Sequence, residues 1–345
     1  MGPRTIFVIA ISTVAWGLSS AVVFKQCGLD RKCVPFSDCA KYRNYVGIPS
    51  RNWPSDVQHE VKSHLCEMEE LASGKKLYKV CCILDMGNCG KQTTQRIAHG
   101  EIATIFQFPW MALLRGFDGK FHCGGALIAP RYVLTATHCR RKQVHSVRLG
   151  ETDLSTAIDC VKFIDGEEDC ADAPQDIVVE KFIGHPKYSS SQKKNDIALL
   201  KLKTSAQFND NVQPICLPLP EIADSNLPTR MMVSGWGFTE DEMEISNKLR
   251  YAYVPIVSPR VCNESLARIS NVWTVDESQI CAGAGINRAD NCQGDSGGPL
   301  KYAANGQYVV HGVVSFGQAT CGVESEPGIY TNVRYFLDWI IDRVQ

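Results

Sequence analysis

Cysteine constrains this chain more than any other residue. There are sixteen, an even number, and six of them crowd into residues 27–82. A segment that short cannot build a large apolar core, so six thiols there imply a small module held by disulfides in an oxidising compartment. Spacing alone leaves fifteen pairings open for Cys27, Cys33, Cys39, Cys66, Cys81 and Cys82. Inside the module, Val57, Val61, Leu65 and Met68 form an apolar stripe at helical spacing behind Pro54-Ser55. That pattern predicts a helix carrying ordinary core residues.

The N-terminus points to the same compartment. Arg4 gives a positive start, Ile6 to Leu18 is mostly apolar, and Ser19, Ser20 and Ala21 are small, which predicts a signal peptide over residues 1–21. The run falls short of the ~20 apolar residues that a spanning helix needs, and no later run is longer, so no membrane span is expected. With 36 Lys and Arg against 37 Asp and Glu, the net charge of −1 argues against a nucleic-acid or membrane-surface binder. Arg140-Arg141-Lys142 and Lys193-Lys194 read as solvated loop faces. His59-Glu60 and His64 look like a zinc motif, but five residues turn a helix by roughly 140°, so the two imidazoles miss a common face. Asn263-Glu264-Ser265 is an N-glycosylation sequon.

The chemistry sits in three segments further on. Gly294-Asp295-Ser296-Gly297-Gly298 sets a serine among glycines that let backbone N–H groups approach it, as stabilisation of an oxyanion requires. Alone, such a run is compatible with a surface turn. Thr137-His138-Cys139 adds a histidine beside a cysteine, and Asn195-Asp196-Ile197 adds an aspartate opening an apolar strand. The order His, Asp, Ser is one of several that build a nucleophilic triad.

On these motifs the chain from Ile97 to the C-terminus resembles the chymotrypsin-like (trypsin family) serine proteases. Cys33-Val34-Pro35-Phe36-Ser37-Asp38-Cys39 and the doublet Cys81-Cys82 resemble the clip domain of arthropod clip-domain serine proteases. The resemblance implies a mainly β protein: a clip domain over residues 27–82, a linker and activation site over 83–96, and a protease domain over 97–345. That last domain is expected to be two antiparallel β-barrels, in keeping with its apolar strands alternating with turns. An amphipathic C-terminal helix carrying Phe336, Leu337, Ile340, Ile341 and Val344 should close it.

For the cysteines the resemblance implies Cys27–Cys81, Cys33–Cys66, Cys39–Cys82, Cys123–Cys139, Cys262–Cys281 and Cys292–Cys321, with Cys89–Cys216 tethering the light chain. Cys160–Cys170 remains, and its short loop is geometrically reasonable. Met231 and Tyr302 stand where many relatives carry a further bridge.

The resemblance also assigns roles. Ser296 would be the nucleophile, His138 its general base, and Asp196 the group that holds the imidazole. Backbone N–H groups of Gly294 and Ser296 would form the oxyanion hole. Asp290 at the base of the primary pocket, with Gly317 and Gly328 as its walls, implies cleavage after Arg or Lys. Phe316 replaces the usual tryptophan beside that pocket, and Pro327 speaks against sodium activation. Cleavage at Arg96-Ile97 would free an amine to pair with Asp295, although Ala98 and His99 depart from the family pattern. Glu151, Asp153, Thr156 and Asp159 resemble the calcium loop of clip proteases and offer oxygen ligands suited to a hard cation. No catalytic cofactor is expected.

The resulting expectation is a secreted zymogen in arthropod haemolymph. An upstream trypsin-like protease would activate it, serpin-type inhibitors would restrain it, and its substrate would be a downstream zymogen, a prophenoloxidase or a pro-cytokine. A catalytically dead homologue would have replaced the serine, and a digestive enzyme would not need the six-cysteine module.

Overall fold

The computed structural model describes residues 21–23, 27, 31–39, 42, 45, 48–70, 76–83, 89–91, 102–162, 166–219, 227–239, 242–283, 295–317 and 327–344. The chain divides between Asp85 and Met86 into two compact units. Among the described residues, no helix is long and apolar enough to cross a membrane.

Among its described residues, the smaller unit contains a four-stranded antiparallel sheet and one α-helix. Its strands are β1 (Ala21–Val23), β2 (Arg31–Pro35), β3 (Leu65–Glu70) and β4 (Lys76–Ile83), in the order β1-β3-β4-β2. Helix α1 (Ser55–His64) starts behind Pro54, with Asp56 in its first turn and Lys62 and His64 in its last, the charge placement that suits a helix dipole. The predicted helical stripe is corrected here: Leu65 and Met68 lie on β3, not on the helix. Cys66 is bonded to Cys33 on β2, and β3 registers with β4 through Met68↔Tyr78 and Glu69↔Leu77. Sheet pairing and a crosslink thus override a 3.6-residue pattern that holds only for Val57 and Val61. Ile83, read as the first linker residue, closes β4. The core is small. Cys39, Tyr42, Val61 and Val80 are buried, and Phe36 stacks on Tyr42 at 5.4 Å and on Trp53 at 4.9 Å.

The larger unit holds two closed antiparallel barrels. The first runs β11-β12-β7-β6-β5-β8, from β5 (Met111–Gly116), β6 (Phe121–Ala129), β7 (Tyr132–Thr135), β8 (Val144–Leu149), β11 (Gln175–Gly184) and β12 (Ala198–Leu202). A short ribbon of β9 (Cys160–Lys162) and β10 (Glu168–Cys170) projects between β8 and β11. The second barrel runs β13-β16-β17-β20-β19-β18. Its strands are β13 (Arg230–Gly235), β16 (Arg250–Val257), β17 (Gln279–Ala282), β18 (Pro299–Ala304), β19 (Gln307–Phe316) and β20 (Gly328–Asn332). The ribbon β14 (Phe238–Thr239) and β15 (Glu242–Ile245) and the helix α2 (Pro259–Leu266) complete it. Closure removes exposed sheet edges, which suits a protein rich in short strands. The last described helix is α3 (Leu337–Ile341), shorter than the expected stripe: Leu337, Ile340 and Ile341 lie on it, Phe336 and Val344 flank it, and all five are buried. His185, just past β11, packs its ring against Phe336 at 5.1 Å and Trp339 at 5.2 Å, so the last helix braces the first barrel.

Six disulfides join described residues: Cys27–Cys81, Cys33–Cys66, Cys89–Cys216, Cys123–Cys139, Cys160–Cys170 and Cys262–Cys281. The expected Cys39–Cys82 and Cys292–Cys321 bridges involve side chains outside the described residues. Met231 and Tyr302 are both buried and pack in one apolar cluster with Val233, Leu300 and Val309.

Trp110 is fully buried, 5.3 Å from the Tyr308 ring of the second barrel, and Phe108 meets Tyr251 edge-on at 5.5 Å. Within this contact Lys301 on β18 is completely buried, its Nζ 4.1 Å from the Phe108 ring centre and bonded to Ser234 Oγ. The hydroxyl and the ring face offset the burial of a full charge only partly, so desolvation holds this amine well below the usual lysine range. A lysine depressed in this way binds a proton more readily when unfolded, so its presence destabilises the fold at neutral pH and ceases to do so as pH approaches 10.5. Lys301→Met is therefore expected to raise the melting temperature by about 2–6 °C at pH 7, with the gain shrinking as pH rises. Calorimetry across pH 6–10 checks this; a gain that grows with pH would contradict the assignment.

Candidate active site

His138 sits in a 3-10 turn, Thr137–Lys142, directly after β7. The turn is pinned twice: Cys139 is bonded to Cys123 on β6, and Thr137 Oγ1 donates to the Ile197 carbonyl at 2.6 Å. Asp196 lies opposite it, two residues before β12. The His138 backbone N–H donates to Asp196 Oδ1 at 2.9 Å, and His138 Nδ1 lies 2.7 Å from Oδ2. Ser315 Oγ on β19 also donates to Oδ2, at 2.6 Å, and Thr331 Oγ1 on β20 donates to the Asp196 carbonyl at 2.7 Å. An ionised carboxylate can only accept, so this contact places the ring proton on Nδ1 and leaves the Nε2 lone pair available as a base. Asp196 is only 4% exposed, whereas the His138 side chain keeps a quarter of its surface open.

Ser296 reaches this junction through its backbone. Its carbonyl accepts from the Gly124 N–H on β6 at 2.8 Å, and Cys139 Sγ lies 3.8 Å from the same oxygen. The following turn requires glycine. Gly297 has φ +81°, and a Cβ there would come within 2.6 Å of the Gly124 carbonyl and overlap Thr135 Oγ1. Asp295 fills a slot cut by two other glycines: its Oδ1 accepts from the Gly237 N–H at 2.8 Å, and a Cβ at Gly235 or Gly237 would overlap its carboxylate. Gly317 and Gly328 face each other, the Gly328 Cα lying 3.7 Å from where a Gly317 Cβ would stand. Asp290, Gly294, Arg96 and Ile97 lie outside the described residues.

The acidic loop is ordered by its own oxygens. Asp159 Oδ2 accepts from the N–H groups of Thr152 at 2.8 Å and Asp153 at 3.1 Å, and Thr156 Oγ1 donates to its Oδ1 at 2.5 Å. Glu151 is 5% exposed and Asp159 7%, with the Arg148 guanidinium 3.3 Å from Glu151 Oε2. Burial first, and then the charge of Asp159, push the Glu151 carboxyl up, against the pull of Arg148. Arg148 divides its guanidinium between Glu151 and Asp176, so the repulsion between the two buried carboxylates, Glu151 and Asp159, is one that a hard cation would relieve. Asn263 is half-buried on α2, its Oδ1 accepting from Val275 N at 2.7 Å and its Nδ2 donating to the Val275 carbonyl at 3.3 Å.

Lys193 and Lys194 depart from the solvated face read in the sequence. Lys194 Nζ bonds Asp276 at 2.8 Å and Gln279 at 2.6 Å, and Lys193 lies over two aromatic rings. Sequence reading also missed Ser315, Thr331, Thr135, Gly235 and Gly237. The glycines left one signal, a tryptophan flanked on both sides in Gly235-Trp236-Gly237; isolated serines and threonines in apolar strands leave none.

The Trypsin family model matches residues 97–340. Over its whole length the chain is similar to the CLIP domain-containing serine protease HP8 of Bombyx mori, 37% identical across 97% of each chain. It is likewise similar to phenoloxidase-activating factor 3 of Holotrichia diomphalia, 36% identical across 97% of this chain and 99% of the other. Among solved structures it matches the Grass clip serine protease of the Drosophila Toll pathway, with a TM-score of 0.64 and 33% identity over 90% of this chain and 94% of that one.

The buried Glu151 yields an expectation independent of any ion. A carboxyl raised on folding stabilises the protein fully only when protonated, and that stability is lost as pH rises from 4.5 through the folded value. In chelator-treated protein at pH 7, Glu151→Gln should raise the melting temperature by about 2–4 °C, and by nothing measurable near pH 4. Thermal scans at the two pH values decide it; equal effects at both would remove desolvation as the cause.

Proposed function

Because this chain belongs to the clip-domain serine proteases of the trypsin family and is a serine endopeptidase, we propose that it is a secreted zymogen activated by cleavage after Arg96. The observation that carries its chemistry is the buried Asp196 carboxylate shared by His138 and Ser315. That bond keeps the imidazole in the tautomer whose Nε2 takes the Ser296 proton during attack, and it stabilises the imidazolium that results. Backbone N–H groups of Gly294 and Ser296 receive the developing oxyanion; each such donor contributes about 3–4 kcal/mol. Asp290, between the glycine walls at 317 and 328, favours Arg or Lys before the cut.

The switch follows from the Asp295 slot. Before cleavage Ile97 carries no free amine. Afterwards its ammonium pairs with the Asp295 carboxylate beside the nucleophile, biasing the loop toward an ordered pocket. Cys89–Cys216 keeps the clip-bearing light chain attached. Relatives named for phenoloxidase activation and the Toll pathway support a role in an extracellular haemolymph cascade acting on a protein substrate such as a downstream zymogen, a prophenoloxidase or a pro-cytokine. In that setting an upstream trypsin-like protease activates it and serpin-type inhibitors restrain it. Glu151, Asp153, Thr156 and Asp159 hold a structural calcium ion, and Asn263 is the candidate glycan site.

The test cuts purified protein at Arg96 with trypsin and follows a blocked arginine anilide. Wild type should gain activity; Ser296→Ala should lose about 10⁵-fold or more of it. Arg96→Gln should stay inactive, and Asp290→Ser should lose the preference for basic residues. Cleaved wild type should part into two chains only after reduction. Activity in uncleaved Arg96→Gln, or in Ser296→Ala, would sink the reading. For calcium, the ion should raise the wild-type melting temperature with the logarithm of its excess over Kd, and the Glu151→Ala/Asp153→Ala double variant should show no such rise.

A further inference from the structure

We infer that Lys193 makes this enzyme select an acidic residue a short distance before the cleaved bond. The inference rests on the proposed cleavage after Arg or Lys and deepens it. Lys193 Nζ lies 5.4 Å from the Trp273 ring centre and 5.7 Å from that of Phe316, and the two rings meet edge-on at 5.7 Å. The cluster adjoins the catalytic groups on both sides. Lys193 comes three residues before Asp196, and Phe316 lies between Ser315, which donates to Asp196, and Gly317, the proposed pocket wall. A substrate whose Arg side chain fills that pocket lays the residues before it past Phe316. At ~3.3 Å per extended residue, the second to fourth of them pass the ammonium.

The ammonium is held there by construction. Lys193 and Asn195 both sit at left-handed φ, +56° and +55°, a conformation costly for residues with a Cβ. The loop is fastened on each side of that strain. Gln279 Nε2 donates to the Lys193 carbonyl at 2.8 Å, Trp273 Nε1 to the Ser191 carbonyl at 3.0 Å, and Asn195 Nδ2 to the Lys187 carbonyl at 2.9 Å. The neighbouring Lys194 takes Asp276, and among the described residues no acid pairs with Lys193. A half-buried cation on an aromatic face, without an anionic partner, is complementary to a carboxylate arriving with the substrate. It also covers the rings, so an apolar side chain must displace it to reach them. A lysine that merely shields two rings from water would use its stem, and its charge would be immaterial.

The experiment uses full-length protein cut at Arg96 and internally quenched peptides with Arg at the cut. Glu, Leu or Lys is placed two, three or four residues before it. Wild type should prefer Glu over Lys at one of these positions by about fivefold in kcat/KM, and the ratio should narrow with added salt. Lys193→Met should abolish the ratio and Lys193→Glu should invert it. Comparing ratios within each enzyme makes the result independent of any overall loss of activity, and Lys193→Met serves where the reversed charge impairs folding. A Glu/Lys ratio that is the same in wild type and both variants would overturn the inference while leaving cleavage after Arg intact. Cleavage elsewhere than after Arg or Lys would overturn the underlying reading, and the inference with it.

Discussion

The arrangement of the larger unit depends on one buried carboxylate. Asp196 accepts from the backbone and ring of His138, which follows the first barrel's β7, and from Ser315 on the second barrel's β19. Its carbonyl accepts from Thr331 on β20. An ionised group this deeply buried is tolerable only when its lone pairs are filled, and truncating one partner of such a set typically costs about 3–5 kcal/mol. The donors come from two separate sheets, so they converge only when both barrels are closed and docked. Packing of the fold and orientation of the imidazole are therefore one event.

Asp295 is handled by the opposite device. Asp196 is held by donors from two barrels, whereas two glycines, 235 and 237, leave the space that the Asp295 carboxylate occupies, and the Gly237 N–H donates to it there. Space cut by missing Cβ atoms is rigid on the wall side and permissive for the loop that enters it. The two acids are thus held by different means.

Much of this was readable from the chain, and the limits have physical causes. His138, Asp196 and Ser296 stood out because each lies in a short segment whose neighbours are also constrained. Gly297 must be glycine because its φ is positive and Gly124 is close; Cys139 must be cysteine because Cys123 faces it. Strands alternating with turns were visible in the sequence, and their closure into two barrels was implied by the family resemblance. Ser315 and Thr331 were not visible, because their partner is 119 and 135 residues away and a hydroxyl inside an apolar strand has no local signature. The helix at Val57 was extended too far for a related reason. Val57, Val61, Leu65 and Met68 fit one helical face, and only the Cys33–Cys66 bond and the pairing with β4 show that the last two belong to a strand. Lys301 is the opposite failure. Its sequence environment suggests nothing unusual, yet tertiary packing buries it completely between a ring and a hydroxyl.

The two units are held by different forces. In the larger one, apolar clusters and aromatic contacts between barrels supply most of the stabilisation, and Cys123–Cys139 and Cys262–Cys281 close loops with sequence separations of only 16 and 19. On a chain-entropy account each such short loop contributes about 3 kcal/mol, and the bonds also fix the side chains beside them. Among the described residues of the smaller one the buried apolar core is a few side chains, and Lys79 with Glu67 and Glu69 makes partly exposed pairs of little energetic weight. Its crosslinks span far more of their unit, 54 residues for Cys27–Cys81 and 33 for Cys33–Cys66, and on a chain-entropy account each contributes about 4 kcal/mol. A module stabilised in this way needs little interior. The protease unit has no such freedom around Asp196, where a hydroxyl, a ring and two barrels must all fit one carboxylate.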